Sequence, residues 1–104
     1  MKGPLTAGGP IEVRRSSPET VTVAWEGLSL AVAFVADTDR LRAAIAETID
    51  RLVSSRVPDR GAEVPLNVGP APAAAAPTML RFSAGVLVNP DAIDVEHLAR
   101  VEGD

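Results

Sequence analysis

From Ile11 onward apolar and polar residues alternate, and from Leu41 apolar residues recur at every third or fourth position. Alternation with a period of two marks a half-buried strand, and the wider spacing marks one face of a helix. In "IEVRR", Ile11 and Val13 alternate with Glu12 and Arg14, and "SSP" supplies turn chemistry. In "ETVTVAWEGLSLAVAF", Val21, Val23 and Trp25 alternate with Thr20, Thr22 and Ala24. After Glu26 and Gly27, Leu28, Leu30, Val32 and Phe34 alternate with Ser29, Ala31 and Ala33.

A two-residue turn at Glu26 and Gly27 sets Trp25 opposite Leu28, Val23 opposite Leu30 and Val21 opposite Val32. All six side chains then share one face, with Trp25 in the core. Ala24 with Ser29 and Thr22 with Ala31 occupy the other face. A slip of one residue would invert both faces, so the register is strongly specified. A three-residue loop at Ser16 to Pro18 would pair Val13 with Val21 and Ile11 with Val23, place Arg15 opposite Glu19, and complete a three-strand meander.

Leu41, Ala44, Ile45, Thr48, Ile49, Leu52 and Val53 form one helical stripe and predict a helix over roughly 38–55. Asp37 or Thr38 caps its first turn, and Glu47 and Arg51 stand four residues apart as an ion pair. The next segment, 56–77, is rich in proline. Val64, Leu66 and Val68 alternate in a short segment that fits an edge strand, where Pro65 is tolerated. The run "GPAPAAAAPT" has the composition of a semi-rigid spacer. Leu80, Phe82, Ala84, Val86 and Val88 then alternate along one strand over 78–88. Asn89 and Pro90 open a short C-terminal helix, with extended chain after an Asn-Pro turn as the alternative.

These elements predict an α+β fold, β-β-β-α-loop-β-α. A small antiparallel sheet, a three-strand meander plus a fourth strand, has its Trp25/Leu30/Val32 face covered by one amphipathic helix. The loop is long enough to deliver the fourth strand beside the first or beside the third. Residues 1–10 read as a flexible N-terminal arm, and 11–104 as a single domain with a Pro/Ala-rich loop or spacer at 56–77.

Composition narrows the function classes. The chain has 104 residues and only three aromatics, Trp25, Phe34 and Phe82, so its core rests on aliphatic side chains and is thin. A thin core favours association, which buries apolar faces that a lone chain leaves open. The formal charge is −4 and the single lysine is Lys2, a balance that argues against a nucleic-acid partner. Arg14, Arg15, Arg40, Arg42 and Arg81 are interspersed with acids. Cysteine is absent, which removes disulfides, thiolate metal sites and thiol nucleophiles. With neither a signal-like apolar segment nor a membrane-length apolar run, a cytoplasmic protein without membrane contact is expected.

No catalytic or cofactor signature stands out. His97, the only histidine, lies among Asp91, Asp94 and Glu96, but a metal site needs three or four convergent ligands, and no metal is expected. No nucleophile elbow is present, and neither "AGGP" nor "SAGV" has the lysine and hydroxyl of a phosphate loop. No cofactor is expected.

The reading that fits is a non-catalytic protein-protein interaction or assembly module, self-associating through the sheet or through the C-terminal strand-helix unit. Its partner-binding residues would be Thr22, Ala24, Ser29 and Ala31 on the flat face, with Leu80, Phe82 and Val86 on the C-terminal strand. In that reading the spacer uncouples the C-terminal unit and permits domain swapping in a homodimer; a tolerated surface loop is the alternative. A second reading is a small ligand-binding protein or enzyme with its site under the 56–77 loop, served by Arg81, Glu63 and Asn67.

Overall fold

The computed structural model describes residues 9–56, 60–69 and 78–98. Its elements are β1 (Ile11–Ser17), β2 (Thr20–Trp25), β3 (Leu28–Ala33), α1 (Thr38–Val53), β4 (Arg60–Val68), β5 (Thr78–Ser83) and β6 (Val86–Leu87). Two 3-10 turns follow, at Pro90–Ala92 and Val95–Leu98. The class is α+β, as the patterning predicts, but the sheet has six strands in the order β3-β2-β1-β4-β5-β6. It is mixed: β1 and β4 are parallel, and every other neighbour is antiparallel.

The β2-β3 hairpin has the expected register, with Trp25 opposite Leu28, Val23 opposite Leu30 and Val21 opposite Val32. Glu26 and Gly27 both have positive φ, 52° and 83°, the conformation whose twist matches that of the flanking strands. The β1-β2 register differs from expectation by two residues. Val13 faces Val23 and Arg15 faces Val21, and an irregularity between Arg15 and Ser17 leads into a tight turn at Pro18 and Glu19. An extra residue at Ser16 makes this bulge. Because the shift is even, Ile11 and Val13 stay on the inner face.

The larger corrections lie after the helix. The segment read as a short edge strand is the nine-residue β4, inside the sheet between β1 and β5. Pro65 is accommodated because β1 reaches β4 only from Leu66 to Val68, so no ladder bond to β1 is lost at Pro65. The single strand expected over 78–88 is instead a hairpin. Ala84 and Gly85, with φ of 54° and 81°, reverse the chain between β5 and β6. It lies beside β4, neither beside the first strand nor beside the third. In place of a C-terminal α-helix stand the two 3-10 turns. The Asn89 side chain does not cap; it accepts from the Arg81 N–H at 2.8 Å and donates to the Met79 carbonyl at 3.2 Å, which carries the pairing with β5 past the end of β6. The spacer at 70–77, residues 1–8 of the arm and the chain after Leu98 lie outside the described residues.

The helix is capped by Asp37, whose carboxylate accepts from the N–H groups of Asp39 and Arg40. Glu47 and Arg51 pair at 3.2 Å, as their spacing predicts. Leu41, Ile45, Ile49, Leu52 and Val53 are buried against the inner face of the sheet, meeting Ile11, Val13, Val21, Val23, Trp25, Val64, Leu66, Leu80 and Phe82 in one cluster. No polar side chain is buried among the described residues.

Helix α1 crosses the sheet diagonally. It begins just after Ala33, where Val32 is covered, and its C-terminal end lies against the β5-β6 turn. There the Asp50 carboxylate accepts the Leu87 N–H at 2.7 Å, and Ser54 abuts Gly85. This path leaves the hairpin end of β3 uncovered. Leu28 and Leu30, expected beneath the helix, are 44% and 40% exposed.

Candidate interaction surfaces

Thr22, Ala24, Ser29 and Ala31 are brought together on the outer sheet face. The registers place them in two rows running across three strands, Glu12–Ala24–Ser29 and Arg14–Thr22–Ala31. Small side chains occupy β2 and β3 and leave the face flat there, while Glu12 and Arg14 form a 3.3 Å ion pair on β1. The hydroxyls of Ser16 and Thr22 lie 3.0 Å apart. The other three residues of the expected partner set do not join this patch. Leu80 and Phe82 are 0% and 1% exposed in the core, and Val86 stands 57% exposed at the opposite edge of the sheet.

The edge beside the flat patch is β3 itself. Its sequence, LSLAVA, contains no charge and no proline. A two-residue turn closes on a hydrogen-bonded pair, so β3 bonds to β2 through Leu28, Leu30 and Val32; Phe34 continues the series by donating to the Glu19 carbonyl at 2.9 Å. The backbone groups of Ser29, Ala31 and Ala33 therefore point away from β2, along the open edge. An exposed edge strand is a template for pairing unless charges, proline, a bulge or short length blunts it. The opposite edge is blunted in this way, because β6 is two residues long. Among the described residues β3 has none of these protections, and no strand lies beyond it. Beside it, Trp25, Leu28 and Pro10 help to line an open depression of about 300 Å³. Trp25 is anchored below by its indole N–H, which donates to the Gly9 carbonyl at 2.9 Å.

Of the residues considered for a ligand site, Glu63 and Arg81 are directly paired across β4 and β5 and lie 3.5 Å apart. They line a shallow cleft of about 240 Å³ with Gly61 and Ala62. Asn67 is four residues further along β4, about 13 Å away at strand spacing, and does not join them. A second cleft of about 380 Å³, at the other end of the molecule, is lined mainly by Phe34, Val35, Leu41 and Val95. Arg15 stacks over the Phe34 ring there at 3.5 Å and donates to the carbonyls of Pro18 and Leu98.

His97 Nδ1 lies 2.9 Å from Asp94, three residues earlier, and the described residues contain no group of three metal-ligating side chains. Burial pushes the Asp50 carboxyl above the ordinary carboxylate range; the Leu87 N–H bond opposes this, and nearby Glu47 adds to it. Asp50 ties helix to sheet and lines none of these three clefts. No helix of the described residues is long and apolar enough to cross a membrane.

Leu28 and Leu30 are what the sequence reading missed. Alternation assigns them correctly to the inner face but does not say where the helix on that face ends. The signal that was available is the lack of charge in LSLAVA, a feature expected of a covered strand. Compared with family models, with curated proteins and with solved structures, the chain matches none.

Proposed function

We propose that this protein is a small non-catalytic assembly module that self-associates through its sheet. The observation that carries the reading is the unprotected edge β3, six residues without charge or proline, with Leu28 and Leu30 exposed beside its open backbone groups. Burying those groups against another strand satisfies them and removes the two leucines from water. The sheet is favoured over the C-terminal unit as the contact because Leu80, Phe82, Leu87, Ile93, Val95 and Leu98 are all committed to the core of their own chain. The ligand-site reading has less support, since Glu63 and Arg81 satisfy each other.

Light scattering on a sizing column tests this. The full chain is expected at twice the chain mass, shifting to the monomer mass on dilution. Leu30→Lys places a charge on the edge and is expected to give monomer at every concentration while remaining folded, because Leu30 is 40% exposed. A wild-type chain that stays monomeric throughout a hundredfold concentration range would sink the proposal.

A further inference from the structure

The open edge also specifies how two copies would meet, an inference that rests on the assembly reading above. We infer that β3 pairs antiparallel with β3 of a second copy about a two-fold axis at Leu30, giving one continuous twelve-stranded sheet. Three constraints lead to this register.

First, a two-fold contact is isologous, so each residue i faces residue j of the partner and j faces i. In an antiparallel pair, opposite residues project on the same face. Residue numbers of each pair must therefore sum to an even number if the leucine face is to meet the leucine face. Second, hydrogen bonds must come from Ser29, Ala31 and Ala33, whose backbone groups face outward. Third, the inner-face residues should find partners within the strand.

Centring on Leu30 meets the first and third constraints in full and the second through Ser29 and Ala31, with Ala33 opposite Gly27 of the turn. Leu30 faces its own copy, Leu28 and Val32 face each other twice, and Ser29 and Ala31 exchange hydrogen bonds on both sides of the axis. Centring on Ala31 sends Leu28 opposite Phe34, which lies past the end of β3. Centring on Ser29 sends Val32 opposite Glu26, which is in the turn. The Leu30 register alone gives every inner-face residue of β3 a partner that also lies within β3.

The occupant is a second copy because the edge is complementary to itself. LSLAVA is neutral, so pairing brings no like charges opposite each other in a chain of net charge −4. The outer rows also join across the axis. Glu12–Ala24–Ser29 continues into Ala31, Thr22 and Arg14 of the second copy, a strip of small residues with a negative charge at one end and a positive charge at the other. Two six-residue strands with their flanking leucines make a small contact, the class in which weak and reversible complexes fall, which suits a dimer that dissociates on dilution.

Absence of cysteine makes cross-linking a clean test in the full chain. Leu30 and its copy would form a non-hydrogen-bonded pair with Cα atoms about 4.5 Å apart, inside the range a disulfide spans. Ser29 and Ala31 would each lie diagonally from their own copies at about 7–8 Å, outside it. Under mild oxidation Leu30→Cys is expected to pass to covalent dimer, with loss of the monomer band, while Ser29→Cys and Ala31→Cys stay monomeric on a denaturing gel. Fluorescence of Trp25, buried and unique, checks that each variant is folded. Should the wild type be dimeric but Ala31→Cys or Ser29→Cys cross-link instead, or none of the three, this register is overturned and the assembly reading stands. A monomeric wild type overturns both.

Discussion

Asp50 lies on the partly buried side of α1, and its carboxylate receives the Leu87 N–H at 2.7 Å, joining the helix to the last strand. Burial raises its pKa above the ordinary aspartate value, with the hydrogen bond working against the shift and Glu47 adding to it. The folded chain thus holds this proton more tightly than the unfolded chain. Stability falls as pH rises from the ordinary aspartate value through the raised one, and the penalty is complete above that window. Asp50→Asn keeps an acceptor for Leu87 and abolishes the titration. Its stability relative to wild type is expected to increase across the same acid window, as measured by urea unfolding at a series of pH values. Asp50→Ala removes the acceptor and is expected to cost about 1–2 kcal/mol near neutral pH. If Asp50→Asn tracks wild type at every pH, the titration of Asp50 is not linked to folding.

The turn between β5 and β6 decides where the sheet ends and where the helix docks. A Cβ added at Gly85 would lie 2.9 Å from Ser54 Cα, and the residue already has a φ of 81°. Gly85→Ala is expected to lower stability by about 3 kcal/mol, from left-handed strain and displaced helix backbone together. Ala84, exposed and with a φ of 54°, meets only the first problem. Ala84→Asn makes an Asn-Gly turn and is expected to add about 0.5–1 kcal/mol. Denaturant midpoints of the two variants should move in opposite directions. This turn was legible only in part. The β2-β3 hairpin could be read because "EG" interrupts a clear alternation, whereas Ala84 and Gly85 fall inside a run whose alternation passes through them unbroken. At β4, Pro65 suggested an edge, and only the short overlap of β1 and β4 explains how proline is accommodated in a strand flanked on both sides.

At the scale of the whole molecule, the C-terminal segment is part of the core. Leu80, Phe82, Leu87, Ile93, Val95 and Leu98 are each at most 7% exposed and belong to the same cluster as the meander and helix. The strands on either side of the spacer, β4 and β5, pair directly from Leu66 with Thr78 to Ala62 with Phe82. A chain ending at residue 70 would lose these side chains and expose Val64 and the C-terminal half of the buried face of α1. It is expected not to fold, shown by the loss of a cooperative unfolding transition in Trp25 fluorescence. A folded product would mean that meander and helix form a self-sufficient core.

Element type as far as the end of α1, the inner and outer faces of the meander, the helix with its cap and ion pair, and the register of the β2-β3 hairpin follow from the sequence alone. These properties depend on local spacing and turn chemistry, which neighbouring residues determine. The sheet order, the interior place of β4, the break between β5 and β6 and the exposure of Leu28 and Leu30 were decided by tertiary structure. Each depends on where a distant segment stops. β1 starts to pair with β4 only past Pro65, Ser54 meets Gly85, and α1 leaves the hairpin end of β3 open. Alternation says which way a side chain points, and only the packed chain decides whether anything lies there to cover it.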